Sequence, residues 1–209
     1  MKLCLSAMAF VVLSVFVSMS AFSAEEVNIP NFLLEEGIIE EQSQSEEYVS
    51  SCDINGSPNL PYKAYDGDMD TKWCTESEEI SWIKIDFVEP RLVSKFVVYM
   101  AGNCPRDAGK WNYSLADFQI QSSMTGEEDS WEDEVVVEEN LPDEEHGILT
   151  FEITPKAMRW VRLYITDQGG DQHARVPEFQ VWGLLTADVA SVSPRDKLAT
   201  TWASVKHGS

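Results

Sequence analysis

The sequence predicts an all-β chain, an antiparallel jelly-roll β-sandwich with N- and C-terminal tails. Short runs of alternating apolar and polar residues follow one another from about Tyr48 to Leu184. Such period-two alternation buries one face of a strand and wets the other. Turn-forming residues separate the runs. No stretch in that span carries an apolar stripe at helical spacing.

The elements follow in chain order. Met1-Lys2 begins the chain with a positive charge, and Leu3 to Phe22 is apolar and free of charge. Small residues then precede Glu25-Glu26, so residues 1–23 read as a secretory signal peptide cleaved after Ser23. An uncleaved membrane anchor is the other reading, because the run is long enough to span a bilayer. Export would place the protein outside the cell or at its surface, or in the periplasm if the cell is bacterial. Residues 24–44 are acidic and read as a linker, part of which can add an edge strand. The sandwich is expected over 45–184. Its strands lie in Trp82–Phe87, Val93–Met100, Phe118–Ser122, Leu149–Ile153, Trp160–Ile165 and Phe179–Trp182, with Val135–Val137 as a short edge strand in an acidic hairpin. Residues 185–209 form a C-terminal tail, in which Leu198, Trp202 and Val205 share one face of a short helix if the tail is ordered.

Charge and motifs narrow the function. The chain carries a formal charge of −21 and a pI near 4.3. That surface repels nucleic-acid phosphates and anionic headgroups and draws divalent cations. Cys52, Cys74 and Cys104 follow the signal peptide without zinc-type spacing. Export permits a disulfide among them, and their odd number leaves its pairing open. No hydrolase, zinc-protease or nucleotide-binding motif is present, so the chain is read as non-catalytic.

The segment Lys63-Ala64-Tyr65-Asp66-Gly67-Asp68-Met69-Asp70-Thr71-Lys72-Trp73 packs carboxylates, a glycine and a hydroxyl into one tight loop. Hard cations such as calcium take six to eight oxygens from such groups. A plain polar Asp-Gly turn is the alternative. The ordered set of this loop, then Trp82–Phe87, Tyr113, Phe118, Ser122, Trp160–Leu163 and Glu178–Gly183 resembles the discoidin family, also known as coagulation factor V/VIII type C domains. That family is galactose-binding-like and includes bacterial carbohydrate-binding modules. The resemblance implies an eight-stranded jelly roll. It also implies a structural calcium ion held by Lys63, Asp66, Asp68, Thr71 and Glu178, which would tie the first loop to the last strand.

The resemblance further implies a ligand rim built from loops at one end of the sandwich. An aromatic ring stacks on a sugar face there, and planar polar side chains fork onto hydroxyls. Arg106, Trp111 and Asn112 in the loop 102–113, and His173 in the loop 167–175, are the candidate contacts. A core role for Trp111 and a merely exposed role for His173 remain open. The expected function is a calcium-stabilised, lectin-like module for an extracellular glycan. The alternative is a cell-surface or matrix adhesion module that binds protein.

Overall fold

A computed structural model describes residues 25–39, 48–51, 59–77 and 80–185. The expected signal peptide, Cys52 and the expected tail from 186 onward lie outside the described residues. The elements are β1 (Val27–Asn28), α1 (Ile29–Glu35), β2 (Trp73–Cys74), β3 (Ser81–Tyr99), β4 (Asp117–Ser123), β5 (Glu132–Val137), β6 (Ile148–Asp167), β7 (Arg175–Val176) and β8 (Glu178–Leu184). Among the described residues they form a six-stranded antiparallel sheet, β1-β8-β3-β6-β4-β5, and a two-stranded ribbon, β2-β7.

Alternation does what the sequence promised. In β3, Ile83, Ile85 and Phe87 are buried while Trp82 and Lys84 face outward. Opposite them, Val161, Leu163 and Ile165 of β6 and Phe118 and Ile120 of β4 point into the same core. Phe96 and Phe179 stack across β3 and β8 with centroids 6.4 Å apart. Each such apolar side chain removed from water contributes about 1.5–3 kcal/mol.

Two pairs of expected strands are each one long strand. Trp82–Phe87 and Val93–Met100 fall mostly within β3, and Leu149–Ile153 and Trp160–Ile165 fall within β6. The two strands pair along their length, but the register shifts between Asp86 and Arg91 and between Val93 and Lys95. Pro90 and Pro155 have no N–H to give a ladder, and both sit in unpaired stretches. Val88 turns through φ 67°, left-handed backbone that a β-branched residue adopts only under constraint. β8 pairs with the second half of β3, and β4 with the second half of β6. The sheet thus folds over at this bend into two layers around one core.

The segment 25–39 differs from the linker reading. β1 adds to the edge of β8, with Val27 opposite Gly183 and Asn28 opposite Trp182. In α1, Pro30 occupies the first turn, where its missing N–H costs nothing. Ile29, Leu33 and, beyond the helix, Ile39 are fully buried in the common core. The glutamates Glu35 and Glu36 stay in water. The acidic composition masked an apolar anchor spaced for one helical face.

Candidate cation site and ligand rim

The loop from Pro61 to Thr71 opens with a 3-10 turn, Pro61–Ala64, and buries Ala64, Tyr65 and Trp73 behind it. Those anchors hold its polar side at the surface. Asp66 closes the turn: its Oδ1 accepts the Asp68 N–H at 3.0 Å. Thr71 Oγ1 lies 3.0 and 2.9 Å from the two Asp66 oxygens and 3.0 Å from the Asp68 carbonyl. Gly67 takes φ 77°, which a side chain would strain. Its N–H donates to Glu178 Oε2 at 3.2 Å, joining positions 111 apart. The loop and the start of β8 meet, as the family resemblance implies.

The donor set suits an oxygen-seeking ion. Carboxylates from Asp66 and Glu178, the Thr71 hydroxyl and loop carbonyls lie together. Among the described residues no three His, Cys, Asp or Glu side chains cluster, so the remaining ligands would be neutral oxygens. Glu178 is 1% exposed, and its Oε1 is buried without a hydrogen-bond partner. Burial pushes its carboxyl up to about 8, the Gly67 N–H opposes that, and the Asp66 charge adds to it. A buried acceptor facing a second carboxylate is what a cation relieves. Lys63 supplies part of that role by donating to Asp66 Oδ2 at 3.0 Å. Burial works against the Lys63 ammonium, but the bond and charge of Asp66 outweigh it and raise its pKa.

Beside this site, three loops are tied by a buried charge cluster that the sequence reading did not identify. Asp107 accepts from Lys72 in an ion pair whose side chains are 7% and 3% exposed. Arg175 and Lys110 approach Asp107 at 3.4 Å. Arg175 also donates to Asp171 at 2.5 Å and lies over the Tyr113 ring at 4.5 Å. Burial raises the Asp107 pKa, yet the surrounding cations prevail and hold its carboxyl below the usual range. The only signal in the sequence was the basic residues flanking an acid in 106–110, a pattern that most often faces water.

The predicted ligand residues occupy different stations around the rim. Arg106 is exposed on a 3-10 turn, Pro105–Asp107, next to the buried Asp107. Trp111 and Asn112 share another turn, Trp111–Tyr113. The Asn112 carbonyl accepts the Gly170 N–H at 2.8 Å, docking the loop after β6 onto this turn. His173 faces elsewhere: its Nδ1 donates to the Thr75 carbonyl at 2.8 Å, fixing the tautomer and clamping its own loop.

Trp111 is half-buried against Gly102 and Gly147 and stands between two shallow depressions. One, of about 400 Å³, includes Asn103, Gly109 and Glu144. The other, of about 220 Å³, includes Asn112, Asn140, Leu141 and Gly170. A Cβ on Gly102 would lie 2.1 Å from the Trp111 ring. Gly102→Ala is therefore expected to cost about 1–3 kcal/mol by overpacking, read as a lowered urea midpoint. An unchanged midpoint would show that the loop repacks freely.

The comparisons with known proteins agree with this architecture. The CpGH89CBM32-5 module from Clostridium perfringens, solved with GalNAc-beta-1,3-galactose, is 18% identical with a TM-score of 0.52, covering 64% of this chain and 91% of its own. The family 32 carbohydrate-binding module of Clostridium perfringens NanJ, solved with galactose, is 19% identical with a TM-score of 0.51, covering 76% of this chain and 99% of its own. The family 32 module of Streptococcus pneumoniae EndoD is 14% identical with a TM-score of 0.51, covering 65% of this chain and 94% of its own. At these identities the likeness is one of fold. No curated protein matches the sequence. The family model of the F5/8 type C domain matches residues 42–179, and the chain belongs to that family.

Proposed function

We propose that this protein is a secreted, non-catalytic carbohydrate-binding module stabilised by calcium, with an extracellular glycan as its partner. The observation that carries the reading is the rim: Trp111 stands between two depressions, flanked by amides and a carboxylate, on loops anchored from below. Half-buried rings with amide neighbours are suited to the apolar face and hydroxyl edges of a sugar. Solved modules of the same fold carry galactose or GalNAc-beta-1,3-galactose, which supports the substrate class. Lys63 and Asp68 would give carbonyls, Thr71 its oxygens, and Asp66 and Glu178 carboxylates to the ion. Bound calcium supplies charge neutralisation and a cross-link between the first loop and β8. The chain's own residues position the loop and keep water from the Glu178 carboxylate.

The test is glycan-array binding by the mature chain and two variants. Arg106→Ala removes an exposed contact and leaves the buried network intact. Trp111→Ala removes the ring. Each is expected to weaken binding at least about tenfold, equivalent to about 1.4 kcal/mol. A folded wild-type chain that binds no glycan, or binds one equally well in both variants, overturns the rim assignment. Absence of glycan binding together with retention on a cell-surface protein would favour the adhesion reading.

A further inference from the structure

We propose that the N-terminal arm, residues 27–39, is an integral part of the cation site, with Asn31 and Asn28 as positioning residues that couple ion binding to arm docking. This rests on the calcium reading above and extends it to residues outside the loop.

The arm touches both ends of the cation site. Asn31 Nδ2 donates to the Asp66 carbonyl at 3.0 Å, across 35 positions. It approaches because position 67 is glycine: a Cβ there would stand 2.8 Å from Asn31 Nδ2. The bond pins the peptide between Asp66 and Gly67, whose N–H in turn reaches Glu178. On the other side, Asn28 Oδ1 accepts the Val181 N–H at 3.2 Å, and its side chain is hydrogen-bonded to the Glu178 carboxylate. One asparagine therefore orients the loop and the other orients the strand.

The arm is held there by side chains that do not touch the site. Ile29 and Leu33 fill the core, β1 extends the β8 edge, and Ser94 Oγ bonds Glu26 at 2.7 Å. Outer partners of metal ligands fix ligand orientation, and losing them typically weakens metal binding about 10–100-fold. Coupling is reciprocal, so an ion that binds more tightly with the arm docked must hold the arm down by the same factor. The ion would thereby govern how firmly the arm is fastened to the fold.

The experiment uses the mature full chain. Calcium affinity is measured by titration calorimetry for wild type, Asn31→Ala and Asn28→Ala. Amide exchange of residues 27–39 is followed with calcium and with chelator. Each variant is expected to bind calcium about tenfold more weakly. In wild type the arm amides are expected to exchange about tenfold more slowly with calcium. Protection of core amides in β3 and β6 shows that a variant is folded. Wild-type affinity in both variants, or arm exchange indifferent to calcium, overturns this inference and leaves the calcium reading standing. A wild-type chain that shows no calcium binding overturns both.

Discussion

Asp107→Ala is expected to remove about 3–5 kcal/mol of stability, because it leaves the buried Lys72 ammonium without its counter-charge. The pair is almost wholly out of water. An ammonium stranded there must lose its proton or drag the loop open to reach solvent, and either costs several kcal/mol. Arg175 would keep Asp171, and Lys110 already reaches solvent, so the penalty falls on Lys72. The double variant Lys72→Met with Asp107→Leu is expected to recover most of the loss, since an apolar pair of similar volume has no ion to desolvate. Urea denaturation of the single and double variants measures both numbers. Equal stability of Asp107→Ala and wild type would mean the cluster is hydrated in solution. In wild type, the depressed Asp107 pKa contributes stability that is complete above its unfolded value and drains away as pH falls through the folded one.

In chelator, raising the pH from 5 to 8 is expected to destabilise the protein, and calcium is expected to cancel the slope. Glu178 has its carboxyl at about 8 in the fold against 4.5 when unfolded. Between those values the folded chain holds a proton that the unfolded chain has released. Stability therefore falls as pH rises across that window. At 1.36 kcal/mol per unit the loss tends toward roughly 4–5 kcal/mol as an upper bound. On the proposed calcium reading, the ion would take the proton's place against the Glu178 and Asp66 carboxylates and would stabilise by mass action, more strongly at pH 8 than at pH 5. Glu178→Gln keeps the shape without the titration. It is expected to flatten the pH profile in chelator and to lose the calcium-induced rise in Tm. A wild-type Tm that is independent of both pH and calcium would remove the ion from the account.

Much of this molecule could be read before its structure. Strands declared themselves by alternation: half-buried Lys84 lies between buried Ile83 and Ile85, and Arg162 lies between Val161 and Leu163, although Arg162 is itself buried, its guanidinium against the Trp131 and Tyr164 rings. The approach of Glu178 to the Asp66 loop was legible only through family likeness, since spacing alone says nothing about contacts so distant in sequence. The bends were harder. The expected strands stopped at Phe87 and Ile153, short of Pro90 and Pro155, and a proline interrupts a ladder whether the chain turns back or merely bends. α1 was hidden because its buried face is only Ile29, Pro30 and Leu33, too short for periodicity to rise above the surrounding glutamates. The charge cluster at Asp107 gathers side chains from Lys72, Lys110 and Arg175, and no local pattern predicts which loops a sandwich will bring together at its rim.

The shared backbone of β3 and β6 has a mechanical meaning. Each strand is stitched into both layers, so neither layer can peel away as a lid while the other stays intact. To part them, the β3–β6 ladder must be unzipped, and with it the strand ends from which the loops carrying Asp107, Trp111 and Gly170 extend. Such a body is expected to lose its loops in the same event as its interior, so that amide exchange in the two halves of β3 would rise together.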